Sequence, residues 1–387
     1  MLGRGWRLPF RPFGVPIELD PTFALVLPLF AWLIGSQVAA YAELLGGLGV
    51  ALDPEPLTRG ATPWLLGGAG ALGLFTSVLI HELGHALAAR AYGVHTLRIT
   101  LWFLGGVAQL EELPRKRGAE AVVAIVGPIT SALLSLALAA LLRADAVAGG
   151  VAFVVSYLAI TNAGLALFNL LPALPLDGGR VLRSLLVFPL GEARATAAAG
   201  GVSRAVAIAL GVYGFLSFQV FLLAIAFFID AAGRAEVGAA RARRAFEGRR
   251  VRDAMTAEPI TVDLAWTAGQ LRRLRAFRRH TAYPVANADG APLGIVRADD
   301  LDGVEDATSA ADLMRPVETV RVDADLDATV RLLATTAAGR FAVVDADGRL
   351  VGVLTKADIV RWLQSAEEGG PGDGGGETTP RPDPMAD

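Results

Sequence analysis

The chain has 387 residues, of which 53% are hydrophobic and 19% charged, with a mean hydropathy of +0.48 and a formal net charge of -3. This composition excludes an intrinsically disordered chain and makes membrane insertion the first hypothesis, because soluble domains carry more charge. Cysteine is absent, so disulfides and thiolate metal sites are excluded, and a metal would have to be held by Asp, Glu or the four histidines.

Long stretches without Asp, Glu, Lys or Arg predict transmembrane helices. The first stretch is too long, lies too far from the start and lacks the cleavage site of a removable signal peptide. Residues 191–232 are too long for one span and residues 214–217 offer a turn, so we expect two short helices there and six spans in all. The uncharged stretches, each long enough to cross about 30 Å of hydrocarbon, are residues 21–42, 60–79, 121–142, 146–176 and 205–229.

Basic residues predict the orientation of the chain in the membrane. By the positive-inside rule the loops that carry them are cytoplasmic, and six spans put both termini on that side. We therefore predict a multi-pass protein of the cell membrane, with a cytoplasmic N-terminal segment over residues 1–20 and a transmembrane domain over residues 21–235. The basic residues, in chain order, are Arg4, Arg7, Arg11, Arg90, Arg98, Arg115, Lys116, Arg117, Arg180, Arg183, Arg194, Arg234, Arg241, Arg243 and Arg244.

The composition changes after about residue 246 to short apolar runs, acidic turns and amphipathic stretches, which are typical of a soluble α/β module. One pattern occurs twice there with a period of about 60 residues. We place the first copy at residues 246–305 and the second at residues 306–363, packed as a pseudo-symmetric pair. Residues 364–387 are rich in Gly, Pro and acidic residues and are assigned no structure.

His81, Glu82 and His85 belong to the strongest motif in the chain, His-Glu-Leu-Gly-His at the end of a predicted span. Residues four apart lie on one face of a helix, so both imidazoles could bind one zinc ion with Glu82 beside the open coordination position as a general base. Alternatively, the two histidines could bond to neighbouring helices. We favour zinc because ionisable groups inside a membrane are costly unless they have a function.

A hydrolytic zinc site has three protein ligands, and Asp177 is the best candidate for the third. The uncharged stretch before it is too long for one straight span, and Pro172 and Pro175 must break the helix. Broken backbone at membrane depth is buried in protein or lines a wet cavity, where an acid is poised for a metal. The alternative is an ordinary helix N-cap at the membrane surface. His95, expected at the interface, and His280, in the soluble repeat, are less suitable.

The depth of the motif follows from helix geometry. If the second span ends near Gly93, His81 and His85 lie about 18 and 12 Å from its cytoplasmic end at 1.5 Å per residue. The metal would then lie inside the membrane, and the natural substrate would itself be a membrane segment.

These residues resemble the site-2 protease family of intramembrane zinc metalloproteases. HELGH in a transmembrane helix and LDGG on a later, broken helix are the paired signature of that family. The resemblance implies that His81, His85 and Asp177 are zinc ligands, and that Glu82 activates water and passes its proton to the leaving amine. It also implies that Asn169 helps to hold the substrate backbone.

Two further segments resemble parts of that family, and the resemblance as a whole covers about residues 15–235. Residues 101–108, with Gly105 and Gly106, resemble its membrane-dipping hairpin, which would present an edge to an extended substrate. They could equally be an interfacial aromatic anchor with a turn. The third predicted span carries the family's Gly-Pro, followed by hydroxyl residues where the family often has Asn: Gly127, Pro128, Thr130 and Ser131.

The repeated module resembles a pair of CBS domains, a regulatory fold that commonly binds adenine nucleotides between its copies. Thr355 and Asp358 of the second copy match the positions at which that family contacts phosphate or ribose. In the first copy Asp300 is present but Arg297 replaces the hydroxyl residue, so at most one site is complete. The alternative is a dimerisation or folding module without a ligand, and a homodimer through the pair is a further expectation.

Together these arguments predict a multi-pass α-helical membrane protein with about six transmembrane helices and a cytoplasmic α/β CBS pair. Its function would be intramembrane endopeptidase activity with zinc as cofactor, regulated through the CBS pair by an adenine nucleotide. Its partners would be the lipid bilayer and a membrane-anchored substrate, in this family an anti-sigma factor or a membrane-tethered transcription factor. No nucleic-acid partner is expected. The alternative is a CBS-regulated transporter or channel that uses the same polar residues as an ion pathway.

Overall fold

The computed structural model describes residues 5–47, 49–50, 52–103, 105–111, 118–277, 281–336 and 339–368. The chain forms two compact units, Met1–Gly238 and Ala239–Asp387, and the boundary falls within one long helix. In the described residues the first unit is helical with one small sheet, and the second combines two sheets with short helices.

Helices dominate the first unit because a helix satisfies its own backbone hydrogen bonds without water. Four of them, α4 to α7, are long and apolar enough to cross a membrane, and α1 with α2, bent by 60° at their junction, provide up to a fifth span. Charges from Asp230 onward shorten the apolar part of α8. The described residues therefore give four or five spans, and the number six stays a prediction. The helices are α1 Phe23–Ser36, α2 Val38–Gly47, α3 Pro54–Thr58, α4 Thr62–Ala91, α5 Ala119–Arg143, α6 Gly149–Asn169, α7 Asp177–Leu216 and α8 Val220–Phe246.

α4 is the helix that carries the His-Glu-Leu-Gly-His motif. It ends at Ala91, and Gly93 follows with a φ of +80°, a conformation that glycine adopts without strain. His81 and His85 consequently lie about 15 and 9 Å from the end of α4 at 1.5 Å per residue. These depths are slightly smaller than those expected from a helix that reached Gly93.

A four-stranded sheet covers one side of α4. Its strands are β1 Trp6–Arg7, β2 Ile17–Leu19, β3 Thr96–Trp102 and β4 Gly105–Leu110, in the order β1-β2-β3-β4. β2 and β3 are parallel and the other pairs antiparallel. Ile99 and Leu101 of β3 pack with Leu83 and Ala86 of α4 in one buried cluster. Leu19 of β2 packs against the same cluster, so the N-terminal segment contributes to the support of the motif.

The backbone between α6 and α7 is broken at the two prolines, as expected. Residues 170–176 form the loop, and the N–H of Leu174 donates to Oγ of Ser203 at 2.7 Å. α7 is itself kinked at Gly191, and it ends at Leu216, within the turn region expected from the sequence. Asp177 is thus the first residue of a helix that starts inside the first unit.

The second unit contains two copies of one α/β pattern. Its described sheets have the orders β5-β10-β9-β8 and β6-β7. α12 extends to Glu368, which corrects the assignment of no structure to residues 364–368, because the helix-forming composition continues up to Gly369. The remaining residues of the tail lie outside the described part. The elements are β5 Thr256–Ala257, α9 Ala268–Phe277, β6 Ala282–Ala286, β7 Pro292–Arg297, α10 Ala310–Leu313, β8 Glu318–Arg321, α11 Leu326–Thr335, β9 Arg340–Val344, β10 Leu350–Thr355 and α12 Lys356–Glu368.

Each copy has its own buried core, and each core receives a segment from the other copy. Val251 precedes the first copy's own helix but packs with Phe341 and Leu354 of the second. Ala310 begins the second copy but packs with Tyr283 of the first. The two copies therefore fold as one interleaved module.

Candidate metal centre

His81, His85 and Asp177 meet in the interior of the first unit. Nε2 of His81 lies 3.2 Å from Oδ2 of Asp177 and 3.2 Å from Nε2 of His85, and the latter lies 3.3 Å from the same carboxylate oxygen. The three side chains are 5%, 12% and 12% exposed. Among the described residues, this is the one group of three or more His, Asp or Glu side chains that could hold a metal ion.

The donor set fits zinc. A tetrahedral zinc ion with ligand bonds of about 2.0–2.1 Å separates its donors by about 3.3–3.4 Å, close to the three observed distances. Gly127 of α5 faces the two imidazoles, and a Cβ at that position would lie against the His85 ring and 2.8 Å from Nε2 of His81. A glycine at residue 127 therefore keeps the space beside the donor atoms open.

The other nitrogen of each imidazole is held by α5. Nδ1 of His85 lies 2.8 Å from the carbonyl oxygen of Val123, so Nδ1 is the protonated donor and Nε2 has a free electron pair. Nδ1 of His81 lies 2.9 Å from Oγ of Ser131, which is 1% exposed. Such contacts fix the tautomer and the orientation of a ligating imidazole.

Two arginines in the first turns of α7, three and six residues after Asp177, secure the start of that helix. Arg183 pairs with Glu120 at the beginning of α5, and its Nη1 lies 3.7 Å from Oε1 of Glu236 in α8. Arg180 reaches the same Glu236 oxygen at 3.5 Å. The helix that presents the carboxylate of Asp177 is thus tied to two other helices.

Glu82 contacts the sheet through a main-chain hydrogen bond. The N–H of Ala108 in β4 donates to Oε2 of Glu82 at 3.1 Å. Gly106 lies beside the same side chain, since a Cβ there would be 2.6 Å from Cγ of Glu82. The predicted base is therefore next to His81 in the chain and in contact with the hairpin that the sequence analysis singled out through Gly105 and Gly106.

Asn169 is not brought onto the three ligands. It is half-buried at the end of α6, and its Nδ2 donates to the carbonyl of Leu165 in the same helix at 3.0 Å. In the described part of the chain no hydrogen bond joins it to His81, His85 or Asp177. His95 is exposed and lies 3.3 Å from a Glu111 oxygen, in line with an interfacial residue. His280 lies outside the described residues.

Three contacts near the centre were missed by sequence reasoning. The amide of Ala108 could not be assigned to Glu82 because a main-chain donor leaves no signal in the residue type. Ser131 was named as a hydroxyl residue where the family often has Asn, but its partner His81 was not, although Ser131 stands one helical turn after Gly127 and so shares its face. Asn162 of α6, 1% exposed, donates from Nδ2 to Oγ of Ser77 at 2.9 Å, one turn before His81.

The candidate nucleotide residues of the CBS pair have partners within the protein. Oδ2 of Asp358 accepts from the N–H of Thr355 at 2.9 Å and from its hydroxyl at 2.7 Å, the arrangement of a capping box at the start of α12. Asp300 binds Arg315 through both oxygens, at 2.6 and 3.0 Å. Within the described residues no hydrogen bond joins Asp300 to the other two.

Comparison with known sequences gives two families. The profile of Peptidase family M50 matches residues 69–146 and 142–213, which include all three candidate ligands and Glu82. The profile of the CBS domain matches residues 251–304 and 310–365.

Some relatives match over nearly the whole length of the chain. The zinc metalloprotease Rip3 of Mycobacterium tuberculosis is 39% identical over 380 residues, covering 91% of this chain and 91% of Rip3. Zinc metalloprotease MJ0392 of Methanocaldococcus jannaschii is 27% identical over 359 residues, covering 92% of this chain and 96% of its own. The solved site-2 protease from Methanocaldococcus jannaschii is 28% identical, with a TM-score of 0.41, and covers 60% of this chain and 95% of that one. The chain belongs to Peptidase family M50, the zinc-dependent metallopeptidases of the site-2 protease type, and carries a C-terminal pair of CBS domains.

Proposed function

We propose that this metallopeptidase is an endopeptidase that cuts transmembrane segments of membrane-anchored proteins and releases a soluble fragment on the cytoplasmic side. The observation that carries the proposal is the position of the three candidate ligands. His81 and His85 lie within a 30-residue apolar helix, and Asp177 joins them from the broken start of another. A soluble peptide does not reach such a place, whereas a membrane segment does.

The roles of the residues follow from their chemistry. His81, His85 and Asp177 would hold zinc, which when bound polarises the scissile carbonyl and acidifies water. Glu82 accepts a proton from the attacking water and delivers it to the leaving amine, so the protons balance over one hydrolysis. Ser131 keeps the imidazole of His81 in place throughout.

The substrate must present an extended backbone to these groups. The proposed contacts of the substrate backbone are Asn169, at the end of α6, and the hairpin with Gly105 and Gly106. An anti-sigma factor or a membrane-tethered transcription factor has the required single-span architecture. Cleavage of such a protein would convert a membrane anchor into a soluble signal.

The test is cleavage of tagged single-span proteins by the full-length protein in lipid bilayers. Glu82→Gln keeps the three ligands and removes the base, so we expect cleavage to fall by about 100-fold or more. Glu192→Gln, an exposed change on α7, is the matched control and should cut normally. Equal fragments from the wild type and Glu82→Gln, or none from the wild type across the panel, would contradict the proposal.

We further propose that the second CBS copy binds an adenine nucleotide through Thr355 and Asp358, with Asp300 contributing from the first copy. A ligand there must share Asp358 with the cap of α12. Calorimetric titration of the full-length protein with ATP, ADP and AMP tests this. Thr355→Ser keeps the hydroxyl and should bind normally, whereas Asp358→Asn should not, and the absence of heat with all three nucleotides would refute the proposal.

The proposed orientation places both termini and the CBS pair in the cytoplasm. Because the chain has no cysteine, single introduced cysteines report the side of the membrane unambiguously. In sealed vesicles we expect Ser365→Cys to react with an impermeant maleimide from the cytoplasmic side and Glu55→Cys from the opposite side. A homodimer through the CBS pair accompanies this proposal, and the mass of the purified protein in nanodiscs tests it.

A further inference from the structure

β4 is the last strand of its sheet in the described part of the chain, and its free edge faces α4. β3 pairs with β4 along the other edge. The N–H of Ala108 takes no part in that ladder, because it donates to Oε2 of Glu82 at 3.1 Å. At the free edge of β4, the amide of Ala108 is therefore already bonded to the side chain of the proposed base, Glu82.

The hairpin also lies in direct contact with α4 at this point. A Cβ at Gly106 would be 2.6 Å from Cγ of Glu82 and 3.1 Å from Cγ1 of Val78, one turn earlier. Only a residue without a side chain allows the strand to approach so closely. Glu82 is thus held by β4 from two sides, through a hydrogen bond and through packing.

A substrate strand would need the same donor. An extended peptide that adds to a sheet edge accepts hydrogen bonds from the outward N–H groups of that edge. A peptide that runs along β4 passes beside Glu82, and the amide of β4 that contacts Glu82 is that of Ala108. One N–H cannot donate fully to the carboxylate of Glu82 and to a substrate carbonyl at the same time.

We propose that the main-chain amide of Ala108 is a positioning group that Glu82 and the substrate use in turn. It holds the carboxylate while the edge is empty, and it passes to a substrate carbonyl when an extended chain pairs with β4, which frees Glu82 for the water. This inference rests on the proposed function and assigns the order of events at its site.

The exchange selects for substrates with unwound backbone. In an intact helix each carbonyl already accepts a hydrogen bond from the N–H four residues along. A helical segment therefore has no free carbonyl to accept from the Ala108 amide. An extended segment has free carbonyls and can replace the carboxylate of Glu82. Glu82 is thereby released only when the backbone at the centre is in a cleavable conformation.

A double-mutant cycle of peptide binding tests the exchange. The four full-length, zinc-loaded proteins carry Glu82→Gln or Glu82→Ala, each with Ala108 or with Ala108→Pro. Gln keeps an acceptor for the amide and Ala removes it, while Pro removes the donor at a position that faces away from β3, where an edge strand tolerates proline. The probe is a fluorescein-labelled peptide with the sequence of residues 96–102, an extended segment of this chain, and its Kd is measured by anisotropy in nanodiscs.

We expect Glu82→Ala to bind the peptide about three- to tenfold more tightly than Glu82→Gln when residue 108 is Ala, the range of one hydrogen bond. With Ala108→Pro the difference should fall below about twofold, since the shared donor is gone. Equal ratios in both backgrounds, or no peptide binding with Ala108 intact, would overturn the inference. All four proteins lack the base, so this result is independent of whether the wild type cuts a given substrate.

Hydrogen exchange tests the resting contact without any proline. In Glu82→Ala the amide of Ala108 should exchange about tenfold or more faster than in Glu82→Gln, because its acceptor is lost. The amide of Val107, which lies opposite Thr100 in the β3–β4 ladder, is the internal control and should not change. An unchanged rate at Ala108 would overturn the inference even if the proline variants failed to fold.

Discussion

The hydroxyl of Ser131 lies 2.9 Å from Nδ1 of His81, on the opposite side of the ring from the carboxylate of Asp177. Both nitrogens of the imidazole therefore have a partner, one from α5 and the other from the start of α7. Both partners are buried.

Ser131→Ala should weaken zinc binding by about 10- to 100-fold, because the ring of His81 loses the group that orients it. Competition with a chromophoric chelator measures the affinity. Ser135→Ala is the control, since Ser135 lies one turn further along α5 and bonds to the carbonyl of Ala159. Equal zinc affinity for both variants would show that Ser131 has no role in orienting His81.

Gly127→Ala should abolish zinc binding, because the added Cβ would occupy the space beside Nε2 of both histidines. The helix itself should tolerate alanine, which favours helical backbone over glycine. Gly164→Ala on α6 makes the same change where a Cβ meets nothing within 4 Å, and it should bind zinc normally. Bound metal is measured by elemental analysis of the purified proteins, and full occupancy of Gly127→Ala would contradict the assigned site.

Arg183→Met should lower the free energy of unfolding by about 2–3 kcal/mol, since it removes the partner of Glu120 and one of the two partners of Glu236. Arg180→Met removes one exposed partner at 3.5 Å and should cost less than about 1 kcal/mol. Unfolding of the purified protein in mixed micelles with increasing dodecyl sulfate compares the two. A larger loss for Arg180→Met would refute the proposed tie.

Phe341→Ala should destabilise the CBS module by about 3–5 kcal/mol, because Phe341 is fully buried in the core of the second copy. Leu332→Ala, on the 53% exposed side chain of Leu332 in α11, should cost less than about 1 kcal/mol. Hydrogen exchange of the backbone amides of β9 and β10 gives both values. A small loss at Phe341 would mean that the interleaved core is not the source of stability.

The sequence was sufficient to identify the family, to name the candidate ligands and to predict the broken helix. Histidines four apart must share a helix face, and two prolines must interrupt a helix, so local rules decide both features. The same rules predicted the turn near Leu216 and the stop at Gly93.

The sequence was insufficient wherever the answer depended on packing between distant segments. The strand at Ile17 is too short to show a period, and only the sheet reveals that it supports α4. The depth of His81 shifted by about 3 Å because the helix stops two residues before Gly93, a difference below the accuracy of any capping rule. Whether α8 crosses the membrane stays open, because its ten apolar residues before the first charge are too few to span the hydrocarbon.

The interleaving of the CBS copies has a consequence for how the chain can be shortened. A stop codon between the copies would not leave one finished domain, because Val251 would lose Phe341 and Leu354, and Tyr283 would lose Ala310. Both cores would be exposed at once, and such a product should be recognised as unfolded and degraded. Any shortened form of this chain must therefore lose or keep both copies together.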